Sequence, residues 1–131
     1  MNNRGKGSVG EAIACRYLRR KHYRILERNR REGKAEIDII CENKTHVVFV
    51  EVKSRIEDGL TYRPSSAVNG AKERMLTYAV RSYMKKYSAL PFKKPHQPRI
   101  DIIEVYLKQK RNRLVLGDKG IFHIENAVTD V

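Results

Sequence analysis

Cysteine is scarce in this chain: only Cys15 and Cys41 are present. Two are too few for the disulfide framework of a small secreted domain, and a structural zinc site wants clustered ligands. His22, His46, His96 and His123 are scattered along the sequence with no metal-ligand spacing. The thiols are therefore read as reduced and buried, and the imidazoles as surface or structural groups. Long apolar runs are missing as well. None approaches the ~20 residues that cross a bilayer, so no membrane partner is expected. Residues 1–12 carry no apolar stretch of the kind a secretory signal needs, and a cytoplasmic protein is expected. Neither an internal repeat nor a low-complexity tract is present. Acid is in short supply too, with 15 Asp plus Glu against 28 Lys plus Arg and a net charge of +13.

What is present suits one folded unit. An apolar content of 40% in 131 residues is enough for one core, so a single domain over residues 1–131 is expected. A large basic excess makes a polyanion the default partner, with nucleic acid the commonest. The charge is uneven, however. Residues 1–34 hold 11 basic and 3 acidic side chains, net +8, and residues 69–131 hold 13 and 6, net +7. Residues 35–68 hold 4 and 6, net −2. Acidic groups repel phosphate unless a cation lies between them, so an acidic middle in a basic chain hints at a metal site.

Hydrophobic periodicity predicts a helix from Ser8 to Lys21, with Val9, Ile13 and Tyr17 on one stripe beside Ala14 and Leu18. Ser8 with Glu11 three residues on has the spacing of a capping box. Strands are predicted over Tyr23–Arg31, Glu36–Cys41 and His46–Lys53, the last dense in Val and Phe. A polar loop, Arg55–Pro64, leads into a long helix, Ser65–Tyr87, whose apolar stripe is expected at Ala67 or Val68, Ala71, Met75, Ala79 and Tyr83. After the proline-containing stretch Ser88–Pro98 come a strand at Arg99–Leu107, a basic turn at Lys108–Arg113 and a short strand at Leu114–Leu116. The tail Ile121–Val128 is expected to be a short closing helix or turn. The order αβββαββ implies an α/β fold with a mixed sheet flanked by helices.

Three carboxylates stand out in this order: Glu11 on the first helix, Asp38 on the second strand and Glu51 on the third. The strand period of two puts Lys53 on the same face as Glu51 and Val52 on the other. Asp38, on the neighbouring strand, can reach Glu51 if the hairpin register is favourable. Two neighbouring carboxylates repel unless one is protonated or a cation bridges them, and hard oxygen donors suit Mg²⁺ or Mn²⁺. The Val52 carbonyl is a candidate backbone ligand. A metal there would bind a phosphate and lower the pKa of a water, with Lys53 orienting that water or stabilising the developing charge. The spacing alone is weak, because acid-x-Lys occurs three times: Glu32-Gly33-Lys34, Glu42-Asn43-Lys44 and Glu51-Val52-Lys53. Only the third ends a hydrophobic strand, and a strand-end salt bridge explains it equally well.

The basic residues divide in the same way. Arg16, Arg19 and Arg20 on the first helix, Arg28, Arg30 and Arg31 on the first strand, and Lys72 on the second helix are candidate phosphate contacts. A solvated helix face explains the first three just as simply. Tyr62 and Arg63, in the polar loop, are candidates to stack on or clamp a substrate.

The set Asp38, a short hairpin, then Glu51-Val52-Lys53 resembles the PD-(D/E)XK nuclease superfamily, and the chain looks more closely like the YraN-like family of small bacterial proteins. The matching pieces run from Gly7 and Gly10-Glu11 through Ala14, Tyr17-Leu18, Asn29, Glu36-Ile37-Asp38, Phe49–Lys53, Lys72 and Arg99-Ile100-Asp101 to His123–Ala127. The first half is also similar to archaeal-type Holliday-junction resolvases. These resemblances imply a restriction endonuclease-like fold, Asp38 and Glu51 as metal ligands, Lys53 as the catalytic lysine and Glu11 as an accessory acid. They imply Mg²⁺ or Mn²⁺ as cofactor, and DNA rather than RNA as substrate, branched or otherwise structured. A homodimer is compatible with cutting two strands symmetrically. One departure is Ala35, where the family usually has Gly before Glu-Ile-Asp. Three functions remain open at this point: a metal-dependent nuclease, a nucleic-acid-binding protein with a nuclease-like fold and no turnover, and a module that recognises an acidic protein.

Overall fold

The computed structural model describes residues 3–57, 70–91 and 94–128, with side chains from residue 7 onward. Tyr62, Arg63 and the expected first turn of the long helix up to residue 69 lie outside the described residues. The elements run α1 (Asn3–Arg20), β1 (Arg24–Glu32), β2 (Ala35–Glu42), β3 (His46–Ile56), α2 (Gly70–Ser88), β4 (Gln97–Lys110) and β5 (Arg113–Val128). This is the expected order, and the five strands form one sheet in sequence order. β3 and β4 are parallel over eleven residue pairs, and every other neighbouring pair is antiparallel. Among the described residues the architecture is α/β, a mixed sheet with one helix on each face, compatible with a restriction endonuclease-like fold.

Each face of the sheet carries its own core. α1 lays Ala14, Cys15 and Leu18 on Ile39, Cys41, Val48, Val50, Ile103, Val105 and Leu107. α2 lays Leu76, Ala79, Val80, Tyr83 and Tyr87 on Ile37, Ile40, Val47, Phe49, Ile100 and Ile102. β3 is covered on both faces, which is why Val47-Val48-Phe49-Val50 is one unbroken buried run. Cys41 is buried enough to push its thiol up to about 12. Burial pushes Cys15 up as well, and both thiols are free. Because only the thiolate attacks, neither is expected to react with iodoacetamide in the native protein at mildly alkaline pH. Both should react once guanidinium unfolds it, and fast native labelling counted by mass spectrometry would contradict this.

Four local expectations are corrected. Ser8 is not a cap, because α1 begins at Asn3 and Ser8 lies inside it. The buried stripe of α2 is rotated from the expected one: Ala71 is exposed and Met75 is 41% exposed, while Leu76 and Val80 face the core. The basic turn shrinks to Arg111 and Asn112, both at positive φ, in a two-residue hairpin. The tail is neither helix nor turn, since Ile121, Phe122, His123 and Ile124 pair with β4 and prolong β5. Register shifts opposite Ile100–Ile102 and Val105–Leu107, and a positive φ at Gly120 and Asn126, interrupt its alternation.

Two features fix the helices against the sheet. Glu32, at the end of β1, accepts from Arg30, from Ser82 Oγ at 2.8 Å and from Lys86 Nζ at 3.0 Å, which ties α2 to the sheet edge. Burial pushes its carboxyl up, but these bonds outweigh burial and hold it down at about 2. On the other face, Gly10 lets α1 approach β3 closely. A Cβ there would stand 1.8 Å from Ser54 Oγ and 3.0 Å from Ser54 Cβ. Gly10→Ala is expected to cost about 1–3 kcal/mol in urea unfolding, part of it recovered by adding Ser54→Gly. Wild-type stability in the single variant would refute the close-approach argument.

Candidate functional site

The ladder between β2 and β3 is paired only as far as Ile39↔Val50. The next residues of that ladder are Asp38 and Glu51, and here the strands part. Asp38 Oδ2 accepts from the Val52 amide at 2.8 Å, so a side chain takes up an N–H at the point where strand pairing stops. The result is a fork with carboxylates on both prongs. Glu36, Asp38, Glu51 and Lys72 together line a cleft of about 70 Å³ floored by Phe49, Leu76 and Ile100. Lys72, from the first turn of α2, is ion-paired to Glu51 Oε1. Glu11, from α1, approaches the same fork closely enough that Asp38 acts on its charge.

Electrostatics at the fork is strained. Burial is the main reason that the Asp38 carboxyl lies above the ordinary range, with Glu36 adding to it and the Val52 amide and Lys72 opposing it. Burial, then Asp38, raises Glu11 too, against Arg28 and Asn29. Glu11 Oε1 and Glu51 Oε2 are buried with no hydrogen-bond partner among the described residues. This separates the three acid-x-Lys triplets. Glu32 has both carboxylate oxygens bonded, and so does Glu42, by Arg24 and Tyr87. Only Glu51 keeps an oxygen in need of a partner.

Of the expected site residues, the structure thus gathers Glu11, Asp38, Glu51, Val52 and Lys72. Val52 touches Asp38 through its amide rather than its carbonyl. Lys53 is half-buried on the Glu51 side of β3, beside Glu104 of β4 in the parallel register. The arginines do not form one surface. Arg16 and Arg20 line a separate groove of about 480 Å³ between α1 and β5. Arg19 and Arg28 lie near Cys15, whose thiol they pull down against its burial. Arg30 is held by Glu27 and Glu32 and lies over the Tyr83 ring. Arg31 pairs with Glu36 at 3.6 Å, at the rim of the cleft.

Sequence reasoning missed two buried acids on β4. Glu104 is 0% exposed with Oε1 unpartnered, and its other oxygen is 3.7 Å from Arg55 Nε. Asp101, on the α1 face, is also 0% exposed. It accepts from Arg99 Nε at 2.9 Å, His123 Nε2 at 2.7 Å and the Asn126 amide at 3.0 Å. With Nε2 protonated toward the carboxylate, His123 Nδ1 is free to accept from the Tyr17 hydroxyl at 2.9 Å. Burial pushes the Asp101 carboxyl up, but the bonds from His123, Arg99 and Asn126 outweigh it and leave it below the ordinary range. The signal was present in the sequence as two lone acids inside the apolar run Ile100–Leu107.

A divalent cation is tested by the donors present. Among the described residues no three His, Cys, Asp or Glu side chains form a metal-binding group. Two carboxylates on opposite prongs, one with an orphaned buried oxygen, nonetheless fit a hard cation that completes its shell with backbone carbonyl and water. No helix among the described residues is long and apolar enough to cross a membrane.

The chain resembles known proteins along nearly its whole length. Residues 10–105 match the profile of "Uncharacterised protein family UPF0102". A UPF0102 protein of Caldanaerobacter subterraneus subsp. tengcongensis is 40% identical over 129 residues, 97% of either chain. One from Acetivibrio thermocellus is 38% identical, covering 96% of this chain and 92% of its own. One from Clostridioides difficile is 38% identical, covering 97% and 99%.

Proposed function

The chain belongs to the uncharacterised protein family UPF0102, and from the chemistry of its fork we propose that it is a metal-dependent nuclease that hydrolyses phosphodiester bonds in DNA, with branched or otherwise structured DNA as the substrate. The observation that carries this reading is the buried Glu51 oxygen without a partner among the described residues, in a cleft that Asp38 also lines. Asp38 and Glu51 would hold Mg²⁺ or Mn²⁺, with the Val52 carbonyl as a backbone donor. A cation there supplies Lewis-acid stabilisation of phosphoryl charge and makes water a better nucleophile. The chain's own residues do the rest. The Val52 amide holds Asp38 at the fork. Lys53, on the Glu51 face, supplies positive charge to the phosphoryl group or orients the water. Lys72 is the ammonium that neutralises Glu51, and a substrate phosphate offers it an alternative anion. Glu11 is an accessory acid, kept readier to hold a proton than an exposed glutamate.

A second reading has its own observation. The Lys72 ammonium already occupies Glu51 Oε1, and an internal cation can replace a metal in a protein that binds DNA without cutting it. One experiment separates the two. Labelled junctions, flaps, duplexes and single strands are incubated with Mg²⁺ or Mn²⁺ and with wild type, Asp38→Ala or Glu51→Ala protein. The nuclease reading expects metal-dependent cutting that either substitution abolishes. Salt-sensitive binding with no cutting, indifferent to metal and to Glu51→Ala, supports the second reading. No binding even at low salt sinks both.

A further inference from the structure

Met75 and Tyr78 are the two large hydrophobic residues of α2 that stay exposed outside its core. They lie one helical turn apart, 41% and 65% exposed, and face the β1–β2 turn rather than the sheet. With Gly33, Lys34, Ala35 and Arg74 they line a hollow of about 400 Å³. The Tyr78 ring rests against the turn: a Cβ on Gly33 would be 3.2 Å from its Cε1 and 3.7 Å from its Cδ1. Gly33 also has φ +60°, a conformation costly for other residues. The turn backs the ring while most of the side chain stays open. The hollow adjoins the acidic fork, because Ala35 precedes Glu36, and Arg74 and Met75 lie between Lys72 and Leu76, which line the fork's cleft.

An exposed aromatic ring beside a thioether, flanked by Lys34 and Arg74, joins a π-face to positive charge. We propose that this hollow is a stacking subsite for one unpaired nucleobase of a nucleic acid whose backbone phosphates meet Lys34 and Arg74. The charge argues for this occupant over a second copy of the chain, which would bring its own basic residues to a basic rim. A base inside a continuous duplex has both faces covered by its neighbours, whereas an unpaired base can swing out onto the ring. The subsite therefore selects nucleic acid with an unpaired nucleotide close to the phosphate at the fork. It deepens the nuclease reading by naming the substrate feature that this site recognises, and rests on that reading for the phosphate at the fork.

The test is binding without chemistry, by fluorescence anisotropy in EDTA, of a short single-stranded oligonucleotide and of the matching duplex. Tyr78→Ala is expected to weaken single-strand binding by about 5–100-fold, leave duplex binding within about twofold, and keep the native circular dichroism spectrum. Tyr78→Phe should bind as wild type, since stacking needs the ring and not the hydroxyl. Equal single-strand affinity in Tyr78→Ala overturns the subsite, as does an equal loss on duplex or a loss in Tyr78→Phe as large as in Tyr78→Ala. A wild-type dimer that Tyr78→Ala dissociates in sedimentation also overturns it. If the protein cleaves DNA but Tyr78→Ala shows no single-strand defect, the subsite fails alone. If single-strand binding depends on the ring but no substrate is cut, the nuclease reading fails and the subsite stands.

Discussion

Asp101→Ala is expected to lower the stability of the protein by about 3–5 kcal/mol, the cost of leaving the partners of a buried ionic group uncompensated. The carboxylate is fully enclosed and holds Arg99, His123 and the Asn126 amide at once. Removing it leaves, among the described residues, a guanidinium only 13% exposed with just the exposed Glu125 carboxylate at 3.9 Å for counter-charge, and an imidazole 10% exposed without its carboxylate. It also cuts the link that runs through His123 to Tyr17 on α1 and through Arg99 to the Tyr23 hydroxyl. Against a typical total of about 5–15 kcal/mol, the loss is a large fraction. The sign of the pH effect follows from the lowered carboxyl. A group whose pKa is depressed in the folded state stabilises above its unfolded value, about 3.9, and that contribution fades as pH falls through the folded value. Asp101→Asn, which keeps some of the bonds, should therefore be destabilised most at neutral pH and approach wild type in acid. Thermal unfolding as a function of pH reads both effects, and a gap that widens in acid would disprove the argument.

Asp38→Asn should do the opposite to stability, while removing the proposed nuclease activity. The Asp38 carboxyl is raised, with burial the largest cause, so the folded state prefers its neutral form. Ionisation then weakens the fold as pH climbs from the unfolded value to the folded one, and the penalty persists above it. A neutral amide escapes that penalty and can still accept from Val52. In metal-free buffer at neutral pH the variant is expected to unfold at or above the wild-type temperature, the difference vanishing below the ordinary carboxylate range. If the protein is the nuclease proposed above, its metal-dependent cleavage should fall by at least ~100-fold, because an amide oxygen is a poor substitute for an anionic ligand to a hard cation. Such a split, a sounder fold with less activity, is the mark of a residue kept for chemistry. A variant that loses stability and activity together would make Asp38 a structural residue.

The element order was legible because each helix and strand carries its period in plain form, and β3 carries an apolar run that only a doubly covered strand tolerates. The carboxylates were legible because they interrupt such strands. The closing strand was not. Gly117-Asp118-Lys119-Gly120 has turn composition, but Glu57 accepts from the Asp118 and Lys119 amides at 2.8 and 2.9 Å and holds that stretch within β5. The partner that makes it a strand lies sixty residues away in the chain. Met75 was misread for a related reason: a helix's apolar stripe can be drawn along several lines, and only the sheet beneath selects the one through Leu76 and Val80. Asp101 was overlooked as a site because its meaning comes from His123 and Tyr17, which no local spacing connects to it. The fork itself could not be foreseen from the residues that form it, since the ladder's end is a property of two strands and not of either alone.

β1 is an edge of the sheet, and among the described residues no strand pairs with its open side. An exposed edge invites another chain to join it. Here that edge is studded with exposed Arg24, Arg28 and Arg31, so two molecules approaching edge to edge meet like charge. Two of them, Arg28 and Arg31, are thus a colloidal barrier as well as candidate phosphate contacts. A polyanion that neutralises them removes the barrier, and the protein's resistance to association should be lowest near charge balance with its partner, returning when either is in excess.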